Sequence, residues 1–151
     1  MKPQANFTIL LVEDDADDVL LIQRAFRKAK IANPIQAVRD GDEAVAYLSG
    51  AGPYGDRRQF PSPVLILLDL KLPRRSGFEV LEWLRGQPGL KRTPVVVLTS
   101  SKETADVNRA YELGANSYLL KPVTFEALQE MMRTISLYWL VFCEIPTPPG
   151  E

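Results

Sequence analysis

The stretch ILLVEDDADD, Ile9 to Asp18, runs four apolar residues straight into five acids spread over six positions. Comparable apolar runs end in other reactive groups: Val64–Leu68 in Asp69, Pro94–Leu98 in Thr99 and Ser100, and Ser117–Leu120 in Lys121 and Pro122. Three carboxylates brought within ~4 Å of one another repel by roughly 4 kcal/mol per pair at an effective dielectric of about 20. Something positive must offset that. Carboxylates at strand ends suit a hard divalent cation that takes oxygen ligands and helps to bind a phosphoryl group, which points to magnesium. Lys121 supplies a second, fixed positive charge. An aspartate beside a metal and an ammonium, with the Thr99 hydroxyl in reach, is equipped to attack phosphorus and form an acyl phosphate. Asp69 is that aspartate.

Each group alone has an ordinary reading. An acid at the end of a strand is often a helix cap, and Asp15, Asp17 and Asp18 read as capping and first-turn residues rather than ligands. Thr99 alone is a turn hydroxyl, and a lysine before proline is a solvated lysine. Their joint placement at successive strand ends is what points to a site.

The positioning elements follow from hydrophobic patterning. Phe7–Val12, Ile35–Val38, Val64–Leu68 and Pro94–Leu98 are too short for helices and read as buried strands, with Ser117–Leu120 a weaker fifth. Val19, Ile22, Phe26 and Ala29 recur at steps of three and four, which predicts a first helix capped by Asp17 or Asp18. Further helices are expected at Asp42–Leu48, Gly77–Arg85, Glu103–Leu113, with Gly114 as its stop, and Thr124–Phe142. Continuous apolar strands alternating with helices imply an α/β fold: a doubly wound parallel sheet covered on both faces by right-handed crossovers. In such sheets the ligand site lies beyond the carboxyl ends of the strands, where strand order reverses.

Composition narrows the function. One domain is the default for 151 residues that are 46% hydrophobic. Eighteen basic against nineteen acidic residues leave a net charge of −1, so nothing global draws the chain to nucleic acid or membrane. No apolar run suits a signal peptide or a bilayer span, and the single cysteine, Cys143, rules out an intrachain disulfide and reads as a buried free thiol, all of which fits the cytoplasm. Histidine is absent, removing the commonest general base and the commonest zinc ligand together. The fifteen-residue loop 49–63 reads either as a surface insertion with Tyr54 and Phe60 tucked against the body or as a partner-binding segment.

The acidic pair of LLVEDD, the aspartate of LILLDLKLP followed by SGFEVL, the hydroxyl of VVVLTSS and the lysine of GANSYLLKP together resemble the receiver domains of two-component response regulators, over about Phe7 to Ser136. The resemblance implies a flavodoxin-like fold with five strands in the order 2-1-3-4-5 and five helices. It implies magnesium held by Glu13, Asp14, Asp69 and the backbone carbonyl of Lys71. Asp69 would accept a phosphoryl group from a histidine kinase, Thr99 and Tyr118 would be the switch pair, Lys121 would pair with the phosphate, and the Lys121–Pro122 bond would be cis. Such a protein is a stoichiometric phosphoacceptor rather than an enzyme, signalling through its fourth helix, fifth strand and fifth helix. Lys71 departs from the polar residue many receivers carry there. Its amine either approaches the phosphoryl group and alters the lifetime of the acyl phosphate, or faces solvent.

Phe125, Leu128, Met132, Ile135, Trp139 and Phe142 form one apolar stripe on the last helix, and Met131, Tyr138, Val141 and Ile145 a second. Two stripes exceed what one side of a surface helix buries, which predicts a homodimer through Tyr138, Trp139, Val141 and Phe142, unless the tail folds back over them. Residues 1–145 are then the receiver domain and 146–151 a flexible proline-rich tail. With no room left for an output domain, the pattern is that of a single-domain regulator, and the loop before the third strand with the YWL tail resembles the subclass paired with phytochrome kinases. Two alternatives remain. A magnesium-dependent aspartyl phosphatase of the haloacid dehalogenase type needs a second acid two residues after the first, where this chain has Lys71. A binding-only pseudo-receiver would lack one of the chemical residues, and none is missing.

Overall fold

The computed structural model describes residues 7–149. Five strands, β1 (Ile9–Val12), β2 (Ile35–Val38), β3 (Leu65–Leu68), β4 (Val95–Thr99) and β5 (Ser117–Leu120), alternate with helices α1 (Ala16–Lys28), α2 (Gly41–Ser49), α3 (Gly77–Arg85), α4 (Thr104–Glu112) and α5 (Phe125–Ser136). All neighbouring strands pair in parallel, in the order β2-β1-β3-β4-β5. The predicted doubly wound sheet is therefore present in its predicted order.

Side-chain alternation splits the central strands between two cores. Leu10, Val12, Ile66, Leu68, Val95 and Val97 pack with Tyr47, Leu81, Leu84 and Ala110 from α2, α3 and α4. Ile9, Leu11, Leu65, Leu67, Val96 and Leu98 pack with Ile22, Phe26, Leu128 and Met132 from α1 and α5. Burial on both faces is why β1, β3 and β4 carry unbroken apolar runs. The edge strand β5 is only partly covered, and its pattern was weaker for that reason.

Local capping sets where the helices begin. Asp15, not Asp17 or Asp18, is the N-cap of α1: its backbone is extended and its carboxylate accepts from the N–H groups of Asp17 and Asp18 at 2.9 and 3.3 Å. Asp40 caps α2, Ser76 forms a capping box with Glu79 at α3, and Thr124 caps α5. The N-cap of α4, Glu103, makes no side-chain cap; the Ser101 hydroxyl accepts from the Glu103 N–H at 3.3 Å instead and donates to Asp106 at 2.6 Å. Gly114 closes α4 at φ +107°, as its position predicted.

Loop 49–63 folds onto the body. Tyr47, Tyr54 and Phe60 form a cluster with ring centroids 5.0–6.1 Å apart. The Arg57 guanidinium donates to the carbonyls of Tyr47, Leu48 and Tyr54 and to Ser62, binding the loop to the end of α2. Tyr54 and Phe60 are thus tucked inward.

The last helix departs from the prediction of one continuous element over Thr124–Phe142. Regular α-helix stops at Ser136, and Leu137–Phe142 forms a π-helical turn in which Cys143 N–H reaches back to Tyr138 O at 2.8 Å. The wider turn changes the phase of the apolar stripe. Leu140 points into the core at 3% exposure while Phe142 lies outside at 76%. Beyond Cys143, a free and partly buried thiol, the chain packs back, with Pro148 buried and Pro149 lining a cavity of about 480 Å³ beside Leu48, Arg57, Trp83 and Leu90. No described helix is long and apolar enough to cross a membrane.

The phase change is testable by paired truncations. Leu140→Ala is expected to lower unfolding free energy by about 2–4 kcal/mol and Phe142→Ala by less than about 0.5 kcal/mol in urea denaturation, whereas an uninterrupted α-helix would reverse the two.

Candidate functional site

Strand order reverses between β1 and β3, and the polar groups gather at the carboxyl ends of the strands around that point. Glu13 follows β1 and continues the sheet ladder through its N–H to Val38 O, while Asp69 N–H bonds Val12 O and Lys121 N–H bonds Thr99 O. Backbone pairing therefore fixes the starting points of three reactive side chains.

Packing beneath Asp69 is close. Gly77, the first residue of α3, donates its N–H to Leu70 O at 2.8 Å, and a Cβ there would lie 2.2 Å from the Asp69 carbonyl oxygen. Only glycine permits this approach. The Asp69 carboxylate is held at both oxygens: Leu70 N–H donates to Oδ1 at 2.7 Å and Lys121 Nζ to Oδ2 at 3.0 Å.

Lys121 draws the site together. Its ammonium makes ion pairs with Glu13 Oε1, with Asp18 Oδ2 at 2.9 Å and with Asp69 Oδ2 at 3.0 Å. Glu13 and Asp69 are 2% and 7% exposed, so neither carboxylate has bulk water to stabilise its charge. Burial pushes Glu13 up to about 7, with the nearby Asp69 charge adding to the rise and Lys121 opposing it. Burial alone would lower Lys121, but the hydrogen bonds that it donates to three carboxylates outweigh it and hold the ammonium above the ordinary lysine value.

The donor set fits a hard cation. Carboxylate oxygens of Glu13, Asp14 and Asp69 all lie within 4.8 Å of one another, and Asp14 is exposed at the mouth. This is the predicted acidic triad. Lys71 is exposed and makes no side-chain ion pair among the described residues, matching the solvent-facing alternative for its amine. The expected cis bond at Lys121–Pro122 is not found: every described peptide bond is trans, the lower-energy form of an X–Pro amide, and the long lysine side chain reaches the acids from there.

Thr99 and Tyr118 are joined through a third residue. The Ser101 N–H donates to Thr99 Oγ1 at 3.5 Å, and its carbonyl accepts from the Tyr118 hydroxyl at 2.9 Å. Thr99 is buried at the end of β4 and Tyr118 is half-buried, with its hydroxyl held above the usual tyrosine value by desolvation. Sequence reasoning missed Ser101 and Asp18. Asp18 was read as a cap, and once Asp15 takes that role Asp18 falls in the first turn of α1, facing Lys121.

Comparison with known proteins agrees with this geometry. Residues 9–133 match the family described as the response regulator receiver domain. The probable methanogenesis regulatory protein FilR2 of Methanothrix harundinacea is 41% identical over 98% of this chain and 93% of its own. Response regulator Rcp1 of Synechocystis sp. is 42% identical over 91% of this chain and 92% of its own. The crystal structure of its Mn(2+)-bound form superposes with a TM-score of 0.83 at 41% identity, covering 93% of this chain and 99% of that one. The phosphorylated cyanobacterial phytochrome response regulator RcpA superposes with a TM-score of 0.86 at 39% identity, covering 94% and 99%.

The raised Glu13 gives the site a pH dependence of defined sign. Between pH 4.5 and about 7 folded Glu13 binds a proton that the unfolded chain releases, so its contribution to metal-free stability is lost as pH rises through that interval. Cation binding needs the carboxylate and runs the other way. Mn²⁺ affinity measured by electron paramagnetic resonance is expected to weaken about fivefold from about pH 7 to about pH 6 and to strengthen about twofold from about pH 7 to about pH 8.

Proposed function

Because this chain belongs to the response regulator receiver family, we propose that Asp69 accepts a phosphoryl group from the phosphohistidine of a sensor histidine kinase, in a magnesium-dependent reaction. The observation that carries this reading is the convergence of Glu13, Asp14, Asp69 and Lys121 at the sheet's switch point.

A magnesium ion bound by Glu13, Asp14, Asp69 and the carbonyl of Lys71 would offset the charge that develops on the phosphoryl oxygens. The chain's own residues supply the rest. Leu70 N–H and Lys121 Nζ hold the Asp69 carboxylate so that an oxygen lone pair can meet the phosphorus in line with the leaving nitrogen. The new O–P bond forms as the P–N bond breaks, the electron pair departs with the donor imidazole, and Asp69 becomes an acyl phosphate. These 151 residues contain no histidine, so the donor phosphohistidine lies outside them. Lys121 then faces the added phosphoryl charge. Thr99 and Tyr118 act as the switch pair, and movement there shifts the population of the α4–β5–α5 surface through Ser101, which ties Thr99 to Tyr118 and to the start of α4. The single acceptor takes one phosphoryl group per chain, and water later attacks the acyl phosphate to release inorganic phosphate and restore the carboxylate, so the protein acts as a stoichiometric phosphoacceptor with a slow reset.

Similarity to RcpA supports a phytochrome kinase as the donor. Tyr138, Val141 and Phe142 are exposed at the end of α5, with Trp139 half-buried beside them, which supports a homodimer through this surface. The working unit is residues 1–145 with the segment 146–151 as its tail, a cytoplasmic protein with a net charge of −1 that engages neither nucleic acid nor membrane.

Incubation with acetyl phosphate and magnesium is expected to add one phosphoryl group, read by mass spectrometry and mapped to Asp69. Asp69→Asn and chelation should each abolish it, and catalytic release of phosphate without a stable adduct would favour a phosphatase instead. The same assay with purified phytochrome kinases identifies the donor. In sedimentation at micromolar concentration the parent is expected to be dimeric and Phe142→Glu monomeric; a monomeric parent rejects the dimer.

A further inference from the structure

We propose that Asp18 is a positioning residue for phosphoryl transfer: it anchors the Lys121 ammonium beside Asp69 once a divalent cation engages the other two carboxylates. This rests on the phosphoacceptor reading above and assigns a role to an acid that lies outside the metal-binding triad.

The argument begins with donor counting. An ammonium has three N–H donors, and Lys121 meets three carboxylates: Glu13, Asp18 and Asp69. Two of them, Glu13 and Asp69, belong to the group whose oxygens converge to fit a cation, and Asp18 does not. A dication at the triad competes for the lone pairs of Glu13 and Asp69 and also repels the ammonium directly. Two of the three attachments of Lys121 weaken just when the residue is needed. Asp18 is the anion that the cation does not share.

Its own placement is well determined. Asp18 sits in the first turn of α1, where the helix dipole favours a carboxylate, and its N–H is fixed by the Asp15 side chain at 3.3 Å. The capping aspartate thus sets the position of the anchor, and the anchor sets the position of the lysine. Glu13 is fixed from the same segment, since its second oxygen accepts from Asp15 N–H at 3.1 Å. With 34% of its side chain exposed, Asp18 is also the most solvent-accessible of the three partners of Lys121, and its pair with the ammonium is the most open to screening by salt.

The test compares the parent with Asp18→Asn and Asp18→Glu. Removing the charge at constant shape is expected to slow magnesium-dependent phosphorylation of Asp69 by acetyl phosphate about tenfold, while Mn²⁺ affinity changes by no more than about threefold. Asp18→Glu should recover part of the rate. Added salt should slow the parent more than Asp18→Asn, because the variant lacks the screened pair. In magnesium-loaded protein with ¹⁵N-labelled lysine, the parent should show a slowly exchanging Lys121 ammonium signal that Asp18→Asn loses. An unchanged or faster rate in Asp18→Asn, a loss of Mn²⁺ affinity that parallels the loss of rate, or an ammonium signal that persists in the variant overturns the proposal. A parent that fails to be phosphorylated at Asp69 rejects the phosphoacceptor reading instead, and the ammonium signal still decides whether Asp18 anchors Lys121.

Discussion

The ion-pair network around the Lys121 ammonium is the constraint on which the rest of this architecture depends. Glu13 and Asp69 are almost fully removed from solvent, and without a cation between them their mutual repulsion and lost hydration would drive one of them to take up a proton or the strand ends apart. One lysine reaching across from the fifth strand joins the ends of β1, β3 and β5, and so ties the acidic edge of the sheet to the first helix. The arrangement is balanced rather than saturated. Three acids share a single positive charge, with a fourth, Asp14, at the mouth, leaving a net negative cluster whose oxygens already converge enough to receive a divalent cation. The excess negative charge costs the metal-free fold stability and is the same imbalance that readies the site for a metal.

Much of this was legible in the sequence because the physics of a doubly covered parallel sheet leaves strong marks. β1, β3 and β4 are buried on both faces and had to be continuous apolar runs, so their ends, and the reactive residues at those ends, could be located without a structure. Once the strands alternate with helices, topology alone brings Glu13, Asp69 and Lys121 to one edge. The features that escaped are those decided by a shift of one or two residues. Moving the cap of α1 from Asp17 or Asp18 to Asp15 changes Asp18 from a surface acid into a partner of Lys121. A π-helical turn after Ser136 exchanges the roles of Leu140 and Phe142, and no 3.6-residue periodicity can anticipate that exchange. The role of Ser101 rests mainly on its backbone N–H and carbonyl, which side-chain identity does not encode.

FilR2, a probable methanogenesis regulatory protein, and response regulator Rcp1 are 41% and 42% identical to this chain. One fold can carry different functions. The acidic edge is built at the ends of strands buried on both faces, whereas the helix and loop surfaces lie outside that packing.

The glycine at the start of α3 has a mechanical consequence. Because Gly77 lets the helix press directly against the Asp69 carbonyl, the wall behind Asp69 has no slack to absorb a change in charge or volume. Across the site, the N-cap of α4 lacks a side-chain cap and β5 is only partly covered, so compliance is concentrated there. Packing is therefore closer on the α3 flank of the site than on the α4–β5 flank, so the second flank is the one with room to yield.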